Sequence, residues 1–317
     1  MPDDSRTDAP LMAGIEAGGT KFVCGLGYGP GRVVAETSFP TTTPDETLGR
    51  AIAFFREAFA AHGRPAAIGV AAFGPVDLHP GSDTWGHVTS TPKPHWQGAD
   101  MAGPIGRALD LPVAFETDVN GAAFGEGLWG AGRGLGTFVY VTIGTGVGGG
   151  IIVNRQILRG LVHPEVGHMT FARESDDTGF DGICPYHGDC LEGLASGPAL
   201  ARRWGVEGKD LDEGHEAWTL QARYLARMCT NLTLVLSPER IILGGGVMKQ
   251  AHLFPRVREA TKAMLNGYVD SPDILDRVDR FIVPPALGDH AGLMGAMALG
   301  QARAEGQTRF HLPETRA

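Results

Sequence analysis

Short apolar runs alternate along the chain with longer segments whose apolar residues recur at helical spacing. Two stretches, LMAGIEAGGTKFVCGLGY near the start and TFVYVTIGTGVGGGIIVN near the middle, share one pattern: an apolar run, a glycine cluster and a second apolar run. Each pattern predicts two strands joined by a tight turn, which is a β-hairpin. Because the pattern occurs twice, it hints at two related halves.

The rest of the chain predicts further helices and strands in alternation. Helices are expected for TPDETLGRAIAFFREAFAAHG, DMAGPIGRALD, VNGAAFGEGLWG, PALARRWG, EAWTLQARYLARMCTNLTLVLSP and HAGLMGAMALGQARA. Strands are expected for AAIGVAAFGPVDL, PVAFETD and ERIILGGGVMKQ. Such alternation indicates an α/β fold.

Composition and charge exclude several classes of protein. The chain has 317 residues, a formal net charge of −9 and 47 glycines. The negative charge and the lack of a basic stripe in the sequence argue against nucleic acid as a partner. Residues 1–10, MPDDSRTDAP, are polar and acidic, so they predict a disordered tail rather than a signal or transit peptide. No apolar run approaches the length of a membrane span, and we therefore expect a soluble cytoplasmic protein without a membrane partner.

Three glycine clusters, EAGGTK, IGTGVGGG and LGGGV, indicate loops that approach a phosphate closely. They fail the tests for the common nucleotide motifs. Gly14 and Gly19 have the spacing of a P-loop, but Thr20 stands where that motif requires lysine. The dinucleotide fingerprint within IGTGVGGG is followed by the strand-like IIVN instead of a helix. What remains is a set of hairpin turns whose backbone N–H groups converge on an anion.

The segment HPEVGHMTFARESDDTGFDGICPYHGDCLEG concentrates histidine and cysteine in one loop. Cys184, His187 and Cys190 are each three residues apart, and His168 precedes them. Zn²⁺ takes four such ligands in structural sites, and the alternative is a polar loop with free thiols. A Cys-x-x-Cys pair, which would favour redox chemistry, is absent from this sequence.

Asp118, in FETDVNGAA, stands where a predicted strand meets a predicted helix. An aspartate at such a junction commonly caps the helix by accepting a hydrogen bond from a free backbone N–H group. A carboxylate at a strand end can also act as a general base in a cleft. The residues alone favour the cap.

Taken together, GIEAGGTKFVCGLG, TIGTGVGGGI, IILGGGV, HPEVGH, TDVNGAA and CLEGLASGP resemble the motifs of the ROK family, which contains sugar kinases and repressors. The resemblance extends over residues 12–302. TPKPHW and the histidine in the Cys/His loop are most similar to the bacterial fructokinases of that family.

The resemblance implies a fold and a domain division. The fold would be the actin-like, ribonuclease H-like ATPase fold, in which two α/β domains enclose a central cleft. The small domain would comprise residues 11–118 with a C-terminal helix at residues 290–305, and the large domain residues 119–289.

The resemblance also assigns cofactors and residues. The cofactors would be Mg²⁺ with ATP, and a structural Zn²⁺. The ATP-binding residues would be Gly18, Gly19, Thr20, Lys21, Gly144, Thr145, Gly146, Gly244, Gly245 and Gly246. The catalytic base would be Asp118, and the sugar would contact Gly74, Pro75, Asn120, Glu165, His168 and Glu192. Zn²⁺ would be held by His168, Cys184, His187 and Cys190, and Mg²⁺ by Glu16, mainly through water, where many relatives have aspartate. Residues 91–96 would form one wall of the pocket, or else a proline-braced loop around a packed tryptophan.

We therefore expect ATP-dependent phosphorylation of D-fructose to fructose 6-phosphate. The alternatives within the family are a kinase for glucose, mannose or N-acetylmannosamine and, more remotely, a sugar-sensing repressor. Repressors of the family carry a DNA-binding domain before the kinase-like fold, and only a short segment precedes the first strand predicted here. Members are often dimers, so a homodimer is expected.

Overall fold

The computed structural model describes residues 9–314. Over that range the chain forms two five-stranded sheets and ten α-helices, which confirms the predicted α/β class. The disordered tail predicted for residues 1–10 lies outside the described residues as far as residue 8.

The first sheet contains the first predicted hairpin. Its strands are β1 (Met12–Ala17), β2 (Lys21–Gly27), β3 (Val33–Pro40), β4 (Ile68–Ala72) and β5 (Val113–Thr117). Their order is β3-β2-β1-β4-β5, with β2 antiparallel to β1 and β3, and with β1, β4 and β5 parallel. Because parallel strands end at the same edge, the segments that follow β1, β4 and β5 are neighbours.

The second sheet repeats this arrangement. Its strands are β6 (Phe138–Ile143), β7 (Val147–Val153), β8 (Gln156–Ile157), β9 (Arg240–Gly244) and β10 (Ile282–Val283). Their order is β8-β7-β6-β9-β10, with β7 antiparallel to its neighbours and β6, β9 and β10 parallel. The strands β6 and β7 thus take the places of β1 and β2, so the two halves suggested by the repeated hairpin share one topology.

The helices fall mostly where the sequence predicts them. They are α1 (Pro44–His62), α2 (Ala102–Leu109), α3 (Asp118–Trp129), α4 (Leu191–Ala195), α5 (Gly197–Trp204), α6 (Glu216–Leu236), α7 (Leu253–Leu265), α8 (Pro272–Leu275), α9 (Val278–Phe281) and α10 (Ala291–Ala304). Of the longer elements, α7 and β3 are not among those predicted. Every residue of β3 is at least partly exposed, so its apolar signal is weak. No helix within residues 9–314 is both long and apolar enough to cross a membrane.

Four apolar clusters hold these elements together, and the smallest, which contains Met12 and Met297, joins the first sheet to α10. One lies on the first sheet around Phe55 and Trp96, and a second lies on the second sheet around Trp218 and Tyr224. The third cluster combines residues of both sheets with residues of α3 and α10. These two helices therefore join the halves, since burying their apolar surface favours keeping both sheets against them.

Glycines allow α10 to approach its neighbours at backbone distance. A Cβ atom on Gly69 of β4 would lie 1.9 Å from the carbonyl oxygen of Ala296, and one on Gly295 would lie 2.0 Å from that of Gly121 in α3. Both distances are far below van der Waals contact, so only glycine fits. The contact fixes α3, and with it the residue that begins α3, relative to the first sheet.

We predict that Gly295→Ala destabilises the protein by at least about 2 kcal/mol, because the new methyl group must push α10 away from α3. Chemical denaturation would measure this change. Gly49→Ala is the matched control: Gly49 is an exposed position of α1 with no atom near its would-be Cβ. That substitution should stabilise the protein by up to about 1 kcal/mol through helix propensity. Equal effects of the two substitutions would contradict the close contact.

Candidate active site

The turn of the first hairpin is braced from the end of β3. The backbone N–H of Gly18 donates to the carbonyl oxygen of Lys21 at 3.0 Å. Thr41 makes two further bonds: its hydroxyl donates to the Gly18 carbonyl at 2.6 Å, and its N–H donates to the Thr20 carbonyl at 2.9 Å. The turn is thus held in one shape, and the Lys21 side chain stays exposed.

The second hairpin turn lies beside the third glycine cluster. The N–H of Gly144 donates to the Gly146 carbonyl and the N–H of Gly197 donates to the Gly144 carbonyl, both at 2.8 Å. Gly245 has a φ of 88°, and a Cβ there would lie 2.4 Å from the carbonyl oxygen of Ile143. The predicted ATP-binding residues therefore form two groups: residues 18–21 on the first sheet, and residues 144–146 with 244–246 on the second.

Asp118 lies at the same edge of the first sheet as the first turn. Ala17, Ala72 and Thr117 are partners in register at the ends of β1, β4 and β5. The cap of α3 is Thr117, whose hydroxyl accepts from the N–H of Asn120 at 3.2 Å. Asp118 is therefore the first residue of α3 and not its N-cap, although its carboxylate accepts from the free N–H of Val119 at 2.8 Å. The residue is half-buried.

Several carboxylates lie near this edge, and their pKa values are raised, mainly by burial. Burial, together with the nearby charges of Glu16 and Glu165, raises the pKa of Asp118 to about 7, against the hydrogen bond from Val119. Burial and the charge of Glu192 raise the pKa of Glu165 to about 7. Burial also raises the pKa of Glu16, although the Lys21 ammonium opposes this shift. Strongly perturbed carboxylates at converging strand ends are typical of catalytic sites.

His163, which the sequence analysis does not assign to the site, contacts it directly. Its Nε2 accepts from the N–H of Val76 at 3.1 Å, just after the cis peptide bond between Gly74 and Pro75. Its Nδ1 lies 3.4 Å from Glu165 Oε1. Burial lowers the pKa of His163, which suits a ring that must accept at Nε2. The ring thus ties the predicted pocket floor to a predicted sugar ligand, across 87 residues of sequence.

Two other predicted sugar ligands already make hydrogen bonds within the protein. Glu192, in α4, accepts from the N–H of Val147 at 3.0 Å. Asn120 is buried, and its Nδ2 donates to Glu116 Oε1 at 3.2 Å. The remaining acceptor, Asn120 Oδ1, has no hydrogen-bond partner among residues 9–314.

Trp96 does not line an open pocket. It is fully buried, and its indole N–H donates to the carbonyl of Thr42 at 2.7 Å. Its ring packs against those of Phe22 and Phe73, with centroids 5.8 and 5.3 Å away. For this residue the packed-tryptophan interpretation is confirmed, and the pocket-wall interpretation is wrong.

The Cys/His loop forms one compact cluster. The ligand atoms of His168, Cys184, His187 and Cys190 all lie within 4.8 Å of one another, and neither cysteine is in a disulfide. His168 Nδ1 is 3.4 Å from Cys190 Sγ and 3.7 Å from Cys184 Sγ, and His187 Nδ1 is 3.6 Å from Cys184 Sγ. Tetrahedral Zn²⁺ at its usual bond lengths places N and S ligands about 3.6 Å apart. The four side chains therefore fit a zinc ion.

The cluster is joined to the predicted sugar ligands on both sides. The N–H of His168 donates to the Glu165 carbonyl at 3.0 Å, and Glu192 follows Cys190 by two residues. His168 directs Nδ1 at the two sulfur atoms, which leaves Nε2 for another partner.

Comparison with known proteins places the chain in a family. The ROK family profile matches residues 12–303. A fructokinase from Zymomonas mobilis subsp. mobilis is 44% identical over 300 residues, which is 94% of this chain and 98% of that protein. A glucokinase from Streptomyces coelicolor is 28% identical over 325 aligned positions, covering 92% of this chain and 98% of that protein.

The solved structures agree with this placement. A ROK family glucokinase from Streptomyces griseus in complex with glucose and AMPPNP has a TM-score of 0.72 and 26% identity, covering 92% of this chain and 99% of that one. Its likeness extends over both sheets described above, consistent with the actin-like sugar kinase fold. From the profile match, the identity and the shared architecture, this chain belongs to the ROK family.

Proposed function

We propose that this protein is an ATP-dependent fructokinase that converts D-fructose to fructose 6-phosphate. The observation that carries the choice of sugar is the 44% identity to a fructokinase over nearly the whole chain, against 28% to a glucokinase. The glucose and AMPPNP in the related glucokinase support the wider assignment as a hexose kinase that uses ATP.

The nucleotide phosphates would lie between the two glycine hairpin turns. Residues 18–21 and 144–146 offer backbone N–H groups, hydroxyls and the Lys21 ammonium from opposite sheets, which suits a chain of phosphates. The charge of Glu16 contributes to the raised pKa of Asp118, so a cation beside these two carboxylates relieves their repulsion. Mg²⁺ prefers such oxygen ligands with water, and when bound it neutralises phosphate charge.

Asp118 would act as the general base. As the oxygen of the sugar 6-hydroxyl forms its bond to the γ-phosphorus, the bond from that phosphorus to the β–γ bridging oxygen breaks and ADP leaves. The hydroxyl proton passes to the Asp118 carboxylate. Because Thr117 is the N-cap of α3, the Asp118 carboxylate is not the only group that satisfies N–H groups at the start of the helix.

The sugar would lie beside Asp118 on residues from both halves. Glu165 and Glu192 offer carboxylate oxygens that suit vicinal hydroxyls, and Asn120 offers an unpaired Oδ1. His168 would present Nε2, and the cis Gly74–Pro75 segment would form the floor. In this arrangement the Cys/His cluster fixes the sugar ligands from behind.

The proposal also includes a domain division and an oligomeric state. The domain division between residues 118 and 119 is supported by the separate sheets, and α10 packs on the first sheet, as expected for a helix assigned to the small domain. The homodimer stays a prediction.

A hexose panel tests the choice of sugar. We expect kcat/KM to be highest for fructose when fructose, mannose, glucose and N-acetylmannosamine are compared in an ADP-release assay. A higher kcat/KM for glucose would make the fructose assignment wrong and leave the hexose kinase assignment standing. No ADP release with any hexose would refute both.

The raised pKa of Asp118 predicts a pH dependence. A base must be deprotonated, so kcat/KM should decline as pH falls below about 7, by about tenfold per pH unit once most of the carboxylate is protonated. The corresponding decline of kcat should occur at a lower pH than that of kcat/KM, because bound Mg²⁺ favours the charged form of the carboxylate.

The substitution Asp118→Asn should lower kcat by about 10²–10⁴, because it removes the proposed base.

Asp110→Asn is the matched control for that substitution. Asp110 ends α2 in the left-handed conformation, which asparagine adopts readily, and its side chain is exposed. Kinetics should be unchanged. If Asp118→Asn retained more than about a tenth of wild-type kcat, Asp118 would not be the base.

We also propose that the Cys/His cluster holds one structural Zn²⁺. Purified protein should contain about one zinc per chain by atomic emission. Cys190→Ser should lose the metal, lower the Tm and weaken sugar binding, with nucleotide affinity nearly unchanged, because residues 18–21 and 144–146 belong to other hairpins. Cys229→Ser, which alters a buried thiol of α6, should keep the zinc. Fully active protein without zinc would rule out a structural zinc in the Cys/His cluster.

A further inference from the structure

A buried carboxylate lies directly behind Asn120. Glu116, next to last in β5, has no exposed side-chain surface. Its Oε1 accepts from Asn120 Nδ2 and from the N–H of Thr117, both at 3.2 Å. Its Oε2 accepts from Arg159 Nε at 3.0 Å and from Arg159 Nη2 at 2.6 Å. Arg159, Glu116 and Asn120 therefore form one hydrogen-bonded chain.

The chemistry of this chain dictates which end of the Asn120 amide faces Glu116. An ionised carboxylate can only accept hydrogen bonds, so the amide must present its NH₂ group to it. Turning the amide over would place two acceptor oxygens against each other. Asn120 Oδ1 is consequently directed away from Glu116, and within residues 9–314 it is buried without a partner. Such an acceptor is suited to a donor supplied by a ligand, such as a sugar hydroxyl.

We propose that Arg159 is a positioning residue for sugar recognition. Through Glu116 it fixes the Asn120 amide so that the oxygen, not the NH₂ group, is offered to a sugar hydroxyl. This inference rests on the proposed sugar kinase function and deepens it.

Arg159 matters because a buried carboxylate keeps its charge only when it is paired. The guanidinium makes two hydrogen bonds to one oxygen, is about a fifth exposed, and lies over the ring of Phe310 at 5.6 Å. Without the guanidinium, Glu116 Oε2 would lose both of its side-chain hydrogen bonds. The carboxylate would then no longer be held in the position from which Oε1 selects one orientation of the amide.

The ion pair also crosses between the two halves of the fold. Glu116 belongs to β5 of the first sheet, whereas Arg159 follows β8 of the second. Arg159 lines a groove of about 770 Å³ together with His163 and Glu165. The orientation of Asn120 therefore depends on the same docking of the halves that brings Glu165 to the pocket.

The first test compares Arg159→Met, which keeps length and removes the donors, with Arg159→Lys, which keeps the charge. We expect Arg159→Met to raise the KM for fructose about tenfold, with little change in the KM for MgATP, and Arg159→Lys to recover most of the loss. In an Asn120→Ala background Arg159→Met should have no further effect on fructose, because it acts through Asn120. Additive effects, or an unchanged fructose KM in Arg159→Met, would overturn the inference.

Arg240→Met is the matched control. The Arg240 guanidinium donates to the backbone carbonyls of Ala131 and Arg280, outside the site. Its loss should lower the Tm without changing the KM for fructose. If Asn120→Ala itself leaves the fructose KM unchanged, the proposed sugar site is wrong; if only Arg159→Met leaves it unchanged, the site stands and the positioning role fails.

A second test needs no variant that could misfold. Fructose analogues with one hydroxyl at C1, C3 or C4 replaced by hydrogen or by fluorine are compared as ligands of the wild-type protein. Fluorine can accept weakly but cannot donate, so at the hydroxyl bound by Asn120 both replacements should weaken binding about equally, by about tenfold. A fluoro analogue that binds as fructose does at a position where the deoxy analogue is weakened would show the amide donating, and would overturn the proposed orientation.

Discussion

The backbone contact between α10 and α3 determines where the active-site groups lie. At its centre Gly295 and Gly121 approach so closely that a side chain on Gly295 would overlap the backbone of α3. α3 begins with Asp118, and α10 lies on β1 and β4, which lead into the first glycine turn and the Gly74–Pro75 segment. The proposed base, one proposed phosphate loop and the proposed pocket floor are therefore positioned by one helix. Burial on all sides explains why α10 is apolar around most of its circumference.

Electrostatic repulsion is the cost of this convergence. The charges of Glu16 and Glu165 contribute to the raised pKa of Asp118, and the charge of Glu192 contributes to that of Glu165. Burial weakens the ability of water to screen these charges. A cation or sugar hydroxyls bound there, as proposed, would reduce that repulsion. Binding of either ligand would thus stabilise the folded protein, since only the folded chain gathers these carboxylates.

The hairpins, the Cys/His cluster and the position of Asp118 could be predicted from sequence because the patterns that specify them are local. Glycine turns between apolar runs specify hairpins over a few residues, and the repeated pattern corresponds to strands at equivalent places in two sheets. The Cys/His spacing likewise limits the partners of Cys184 and His187. The sequence also predicts correctly that Asp118 lies where a strand meets a helix, although the N-cap of that helix is the neighbouring Thr117.

The remainder could not be predicted because it depends on contacts between distant segments. The roles of His163 and Arg159 arise from partners 87 and 43 residues away, which no local pattern specifies. Trp96 reads as a pocket aromatic beside prolines, and only the packing of Phe22 and Phe73 shows that it belongs to the core. The edge strand β3 has no buried residue, so it lacks the apolar pattern by which a strand is predicted from sequence.

The two sheets differ in the length of one connection, and this has a consequence for folding. Residues 41–67 join β3 to β4, whereas residues 158–239 join the equivalent β8 and β9. Closing the longer connection costs more chain entropy before β9 can pair with β6 than the shorter one costs before β4 can pair with β1. The pairing of β9 with β6 is therefore slower. The cluster of His168, Cys184, His187 and Cys190 lies within the longer connection. A metal ion held by these side chains, as proposed, would shorten the free chain, and the cluster would then assist assembly of the second sheet.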